Sequence, residues 1–424
     1  MGLAHCALVL ALARVCKAQE SARVGAASAS ASVRTWGSGT TQRRWADSCT
    51  NGAVGAALDD LRGRAAETHG SLWTSISGGG FGNELNGLLS SVSLALALNR
   101  SAHVEHSASR TAPLFQPGGV VKDWATRKEF ADRHLRGDAV EFSYADALAR
   151  GLPAASSVIL LTGQPSTLPQ LDAGLKKRVL GFLRKIAGDR AAAKVSFETV
   201  LGCLAAELLR PTSVLEDALR AYLRGPVETV VGIHLRTTDG AMAQYMGNDP
   251  HRRFGGIGQI NAAGSETGRR LSLDYTGTVR KKMGCLIGDF RFGGCLAALA
   301  RTLQNATFFV AGDERSAVDA VKAVVASARP NATILETAGG AVHTGREDHK
   351  LDASRTHRSG HAEGFIKALV DFFMLVYVDV FLSNCPDGGS TFAANVHLLR
   401  LGGTNFFKAE SLCKSYPAQP ARGL

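Results

Sequence analysis

The arrangement of strand, glycine-rich turn and helix constrains this chain most, because alternating strands and helices recur in both halves. A short strand expected at residues 73–76 leads into Ser77-Gly78-Gly79-Gly80-Phe81-Gly82-Asn83. After that turn, Leu85, Leu88, Leu89, Val92 and Leu96 fall on one face of a helix. A second apolar run, 158–161, reads as a buried strand, and helices are predicted over 171–186 and 195–209. Arg224-Gly225-Pro226 then breaks the pattern. Beyond the break, strands are expected at 229–235, 308–311, 333–335 and 380–383. Helical spacing returns at Ala317, Val318, Val321, Val324 and Val325, and again over 362–377 and 392–399. Strands that alternate with helices join into parallel sheets through helical crossovers. The simplest architecture is α/β, two unequal doubly wound domains facing a cleft, with ligand at the carboxyl ends of the strands.

Length and composition support that division. A chain of 424 residues is longer than one core serves. With 45% hydrophobic and 20% charged residues, it lacks the composition of a disordered polypeptide. The apolar run at 7–13, followed by Arg14, Cys16, Lys17 and Ala18, reads as a secretory signal over 1–18. That run is shorter than the roughly 20 apolar residues an anchoring helix needs. Residues 19–48, rich in Ala, Ser, Gly and Arg, read as a disordered stem. An amphipathic segment at 54–66 precedes the glycine turn. The expected domains are 49–223 and 224–424. No integral membrane span is expected beyond the signal, since Asp371 and Asp379 interrupt the apolar stretch 368–382.

Cys49, Cys203, Cys285, Cys295, Cys385 and Cys413 remain after the signal, an even set suited to disulfides, with Cys285 and Cys295 the expected local bridge. No paired CxxC spacing occurs, so no structural metal is expected. Sequons at Asn99, Asn305 and Asn331 agree with a luminal location, the endoplasmic reticulum or Golgi. The net charge of +11 is spread over pairs such as Arg252 and Arg253, Arg269 and Arg270, and Lys281 and Lys282. Without aromatic stacking residues or a reading motif, that distribution argues against nucleic acid and for a small polyanionic ligand.

Four segments can carry chemistry. Glycines in the 78–83 loop allow backbone amides to approach a phosphate or sugar at a helix N-terminus, or simply make a tight turn. Gly232-Ile233-His234-Leu235-Arg236-Thr237-Thr238-Asp239 places polar residues at the end of an apolar strand. There Arg236 can neutralise a pyrophosphate or pair with Asp239. Asp313 and Glu314 follow a strand, where a carboxylate can meet a guanine edge or a ribose, or cap a helix. Gly388-Gly389-Ser390-Thr391-Phe392 opens a further helix, as a second grip on phosphate or as an ordinary cap.

In order and spacing, these motifs resemble those of the GDP-fucose-dependent fucosyltransferase superfamily, the protein O-fucosyltransferases with their α1,2- and α1,6-fucosyltransferase relatives. Gly80-Phe81-Gly82-Asn83-Glu84, running through to Asn99-Arg100, is similar to the family's opening loop and long helix, with Glu84 in place of the usual Gln. His234-Leu235-Arg236 resembles the His-x-Arg strand end whose arginine contacts the donor pyrophosphate. The 371–375 helix, the 381–385 strand and Ser390-Thr391-Phe392 resemble the closing elements, with Pro386-Asp387-Gly388-Gly389 slightly longer than the family pattern. The resemblance implies a GT-B-like fold of two Rossmann-type domains, inverting transfer of fucose from GDP-fucose to a protein or glycan hydroxyl, and no metal or cofactor. It implies donor contacts from Phe81, Gly82, Asn83, His234, Arg236, Asp313, Glu314, Ser390, Thr391 and Phe392. Asp239 and Glu84 are the carboxylates nearest the motifs that could serve as base. A non-catalytic secreted sugar-nucleotide- or carbohydrate-binding protein of the same fold is the alternative.

Overall fold

The computed structural model describes residues 48–50, 52–65, 70–75, 81–105, 114–116, 119–121, 125, 128–129, 132, 139–150, 158–162, 169–222, 229–236, 290–312, 315–338, 358–383 and 390–400. In chain order, the first half holds α1 (Gly52–Arg64), β1 (Leu72–Ser75), α2 (Phe81–Ala97), β2 (Ala102–Glu105), β3 (Phe115–Gln116), β4 (Ala139–Ser143), α3 (Tyr144–Arg150), β5 (Val158–Thr162), α4 (Ala173–Ala187), α5 (Phe197–Leu208), β6 (Arg210–Pro211) and α6 (Ser213–Tyr222). The second half holds β7 (Thr229–Leu235), α7 (Phe290–Thr302), β8 (Ala306–Gly312), α8 (Arg315–Ala328), β9 (Thr333–Leu335), α9 (Arg358–Tyr377), β10 (Val380–Ser383) and α10 (Thr391–Leu399).

Two four-stranded sheets result, ordered β2-β1-β5-β4 and β10-β7-β8-β9, and every pairing in them is parallel. The fold class is therefore α/β. A short antiparallel pair, β3 with β6, stands apart. In each sheet the first strand in chain order is interior and lies beside the last, so chain direction across the sheet reverses there. Such a reversal leaves a crevice beyond the carboxyl ends of the two strands, the usual ligand position in open α/β sheets.

Local sequence explains the helices that matter. On α2 the side chains of Leu85, Leu88, Leu89, Val92 and Leu96 are all buried, as their spacing requires. Helix α4 starts where Asp172 Oδ1 accepts from the Leu175 amide at 2.9 Å, and ends at Gly188, whose φ of 81° favours glycine. Helix α5 starts at Ser196, which accepts from the Thr199 amide at 3.0 Å.

Strand alternation sorts the second sheet's side chains into two cores. Val231, Ile233 and Leu235 of β7, with Phe308 and Val310 of β8, pack against Leu296 and Leu299 of α7 and Val318, Val321 and Val325 of α8. Val230, Phe309 and Ala311 point the other way, into a core that holds α9, α10 and the first half's α1, α2, α4 and α5. Helices thus cover both faces of this sheet. Arg400, just past α10, is buried and caps the end of α9: Nη1 donates to the carbonyls of Val376 (2.9 Å) and Val378, and Nη2 to that of Asp379 (3.0 Å). Buried Asp371 of α9 pairs with Lys367 at 2.6 Å and accepts from Thr337, although burial still pushes its carboxyl upward.

A disulfide joins Cys49 to Cys203, tying the start of the described chain to α5 across 154 residues. Neither the cysteine spacing nor the expectation of a local bridge points to this pair. The side chains of Cys285 and Cys295 lie outside the described residues, as do Cys385 and Cys413. Among the described residues, no helix is long and apolar enough to cross a membrane.

Candidate functional site

The reversal points of the two sheets meet. Helix α2 begins beyond the carboxyl end of β1, and α10 begins beyond the carboxyl end of β10. Their first turns touch. A Cβ on Gly82 would lie 2.6 Å from Thr391 Oγ1 and 2.9 Å from the Phe392 backbone nitrogen, so only glycine permits this approach. Across the contact, the fully buried Asn395 Nδ2 donates to the Gly82 carbonyl and to Asn86 Oδ1, both at 3.0 Å.

The second sheet supplies the charged part. His234 and Ser383 are register partners at the carboxyl ends of β7 and β10, and His234 Nδ1 shares a hydrogen bond with Ser383 Oγ at 3.1 Å. The His234 ring stacks on Phe392 of α10, centroids 5.1 Å apart. Phe392 in turn meets Phe372 of α9 edge-on at 5.2 Å, and Phe372 meets Phe81 of α2 edge-on at 5.0 Å. An aromatic chain therefore runs from the strand end of one sheet to the helix start beside the other, and it holds α10 against both. Arg236 follows directly after β7, half-buried.

His234 is buried, and that burial, reinforced by the Arg236 cation, pushes its imidazole down to about 3. The ring is neutral near pH 7, and Arg236, two residues further on, is a cation. Ser390 caps α10, its hydroxyl accepting from the Ala393 amide at 3.3 Å. Two helix N-termini, a guanidinium and the Thr391 hydroxyl are thereby gathered at one junction. Partial positive charge at helix starts and a planar guanidinium suit a diphosphate.

The structure thus unites Gly82, His234, Ser390, Thr391 and Phe392, with Arg236 adjoining them. Phe81 is buried to 3% exposure, stacked on Phe115 and edge-on to Phe372, so its ring packs the junction. Asn83 is exposed and Glu84 half-buried, both in the first turn of α2. Asp239, Asp313 and Glu314 lie outside the described residues, as do the glycines at 78–80 and 388–389. Among the described residues, no group of three or more His, Cys, Asp or Glu side chains is placed to hold a metal ion.

Sequence reading assigns no role to Ser383, Asn86 or Asn395. Asn395 left one signal, a polar residue among the apolar neighbours Phe392, Ala393, Ala394 and Val396, and it is fully buried. Glu105 also escapes sequence reading. It is buried at the carboxyl end of β2, where Ser75 Oγ at the end of β1 donates to one of its carboxylate oxygens.

No protein-family model matches the chain, and no curated protein matches it in sequence. Solved structures do. An Arabidopsis thaliana FUT1 point mutant in complex with GDP is 13% identical, with a TM-score of 0.47 over 85% of this chain and 76% of that one. POFUT1 in complex with GDP is 14% identical, with a TM-score of 0.43 over 79% of this chain and 95% of that one. The NodZ α-1,6-fucosyltransferase soaked with GDP-fucose is 14% identical, with a TM-score of 0.39 over 78% of this chain and 92% of that one.

Proposed function

We propose that this chain is a glycosyltransferase that moves fucose from GDP-fucose to a hydroxyl of a protein or glycan, with inversion at the anomeric carbon. One observation carries the reading: the start of α2, pressed through Gly82 onto Thr391 at the start of α10, beside His234 and Arg236. Gly82, His234 and Thr391, from three motifs far apart in sequence, lie at one junction of a kind that binds diphosphates, and this supports the reading.

The chemistry requires little else. The acceptor oxygen attacks the anomeric carbon as the bond from that carbon to the diphosphate oxygen breaks, and negative charge grows on the departing GDP. Arg236, Thr391 and the first amides of α2 and α10 offset that charge, which is where such a site gains most of its rate. Neutral His234, held by Ser383 and Phe392, fixes the strand end from which Arg236 projects. The acceptor proton passes to a carboxylate. Glu84, half-buried in the first turn of α2, and Asp239 are the candidates. No metal is required, and the reaction belongs in the lumen of the endoplasmic reticulum or Golgi.

A donor panel tests the proposal. The protein from residue 49 onward, offered GDP-fucose, GDP-mannose and UDP-sugars, should release nucleotide fastest from GDP-fucose. Turnover confined to UDP-sugars would refute the donor assignment.

A further inference from the structure

The contact between α2 and α10 is more than two packed surfaces, because one buried amide ties it together. Asn395 and Asn86 are both fully excluded from solvent. Asn395 Nδ2 donates twice, to the Gly82 carbonyl and to Asn86 Oδ1, each at 3.0 Å. Its orientation is fixed by the Gly82 carbonyl, which can only accept, so the amide nitrogen must face it and Asn86 turns its Oδ1 to the same nitrogen. The remaining amide atoms, Asn395 Oδ1 and Asn86 Nδ2, are buried and have no partner.

Stability alone is a poor reason for such a pair. Each unpartnered buried polar atom costs free energy, and an apolar pair of similar shape would avoid that cost. Directional bonds provide what apolar packing lacks, a fixed distance and register between the two helices. The two bonds span 313 and 309 residues, and they act on the first turn of α2 at the level of Thr391 and Phe392.

We propose that Asn395, acting through Gly82 and Asn86, is a positioning residue for the donor. It sets the gap between the two helix N-termini that grip the diphosphate. This assignment rests on the nucleotide-sugar reading above. It implies that affinity for the nucleotide depends on a side chain that never touches it.

The test uses calorimetric titration with GDP and donor kinetics with GDP-fucose, on the full chain well below its melting temperature. Asn395→Ala, which loses both bonds, should weaken GDP binding and raise the donor KM about tenfold, with kcat changed much less. Asn86→Ala, which keeps the Gly82 bond, should show a smaller rise of about threefold. The double variant should be no worse than Asn395→Ala, because the two amides act as a unit. A purely structural role would lower the melting temperature and leave the GDP affinity of folded protein intact. Wild-type affinity in folded Asn395→Ala would therefore overturn the proposal. If that variant fails to fold, wild-type affinity in Asn86→Ala would do the same. Wild-type protein that binds UDP and not GDP would refute the donor reading alone, and the same variants titrated with UDP would still decide the role of Asn395.

Discussion

The two sheets share a plan and divide the labour. Both are parallel, and both place their first strand beside their last, so each has a reversal point at its carboxyl edge. At that edge the first sheet offers Ser75 and Glu105, a hydroxyl and a carboxylate. The second offers His234, Ser383 and the adjoining Arg236, a neutral pair and a cation. The proposed anionic donor suits the second edge, which carries a cation, better than the first, which carries a carboxylic group. Topology makes the position of a site, and the residues at the strand ends decide which ligand it takes.

Two glycines sharpen the comparison. A Cβ on Gly82 would meet Thr391 and the backbone of Phe392, whereas one on Gly232, within β7, would meet the buried side chains of Val378 and Leu375 at 2.8–2.9 Å. Alanine at either position should cost about 1–3 kcal/mol of stability through overpacking. Only Gly82→Ala also forces the two helix N-termini apart, so it should weaken GDP binding at least about tenfold more than Gly232→Ala does. Unfolding curves and GDP titrations of both variants decide this. Equal affinities would mean that the junction is not where the nucleotide binds.

The second edge should also be the acid-sensitive one. Burial and the Arg236 cation push His234 of the folded chain down from 6.5 to about 3, so the unfolded chain binds a proton there that the folded chain refuses. Its contribution is complete above pH 6.5 and is lost as the pH falls toward 3, by up to about 1.4 kcal/mol per pH unit. Urea unfolding of His234→Gln across that window should show a shallower loss than wild type. An identical slope would show that His234 is not the group responsible.

Legibility in the sequence differed between the sheets for the same physical reason. β7 and β8 are covered by helices on both faces, so they read as mostly apolar runs, and their expected ranges lie within two residues of those found. β2, where His103 and Glu105 alternate with apolar residues, and β4, which exposes Val140 and Glu141, have no such signal and went unread. α7 opens on a stretch with two glycines and was also missed. At the site, the positions of motif residues were legible because they are local: a glycine in the first turn of a helix, an arginine after a strand, a serine at a cap. Ser383 and Asn395 depend on partners 149 and about 310 residues away, and no periodicity records such pairings. The Cys49–Cys203 bridge escaped for the same reason, since connectivity is not encoded in spacing.

The most direct measurement is GDP release from GDP-fucose by Arg236→Ala beside wild type, with the melting temperature recorded for both. Loss of the guanidinium from the end of β7 should slow turnover by roughly 10²–10³-fold while leaving melting within a degree or two. Undiminished turnover in the folded variant would contradict the account, because the charge on the departing diphosphate would then be met elsewhere.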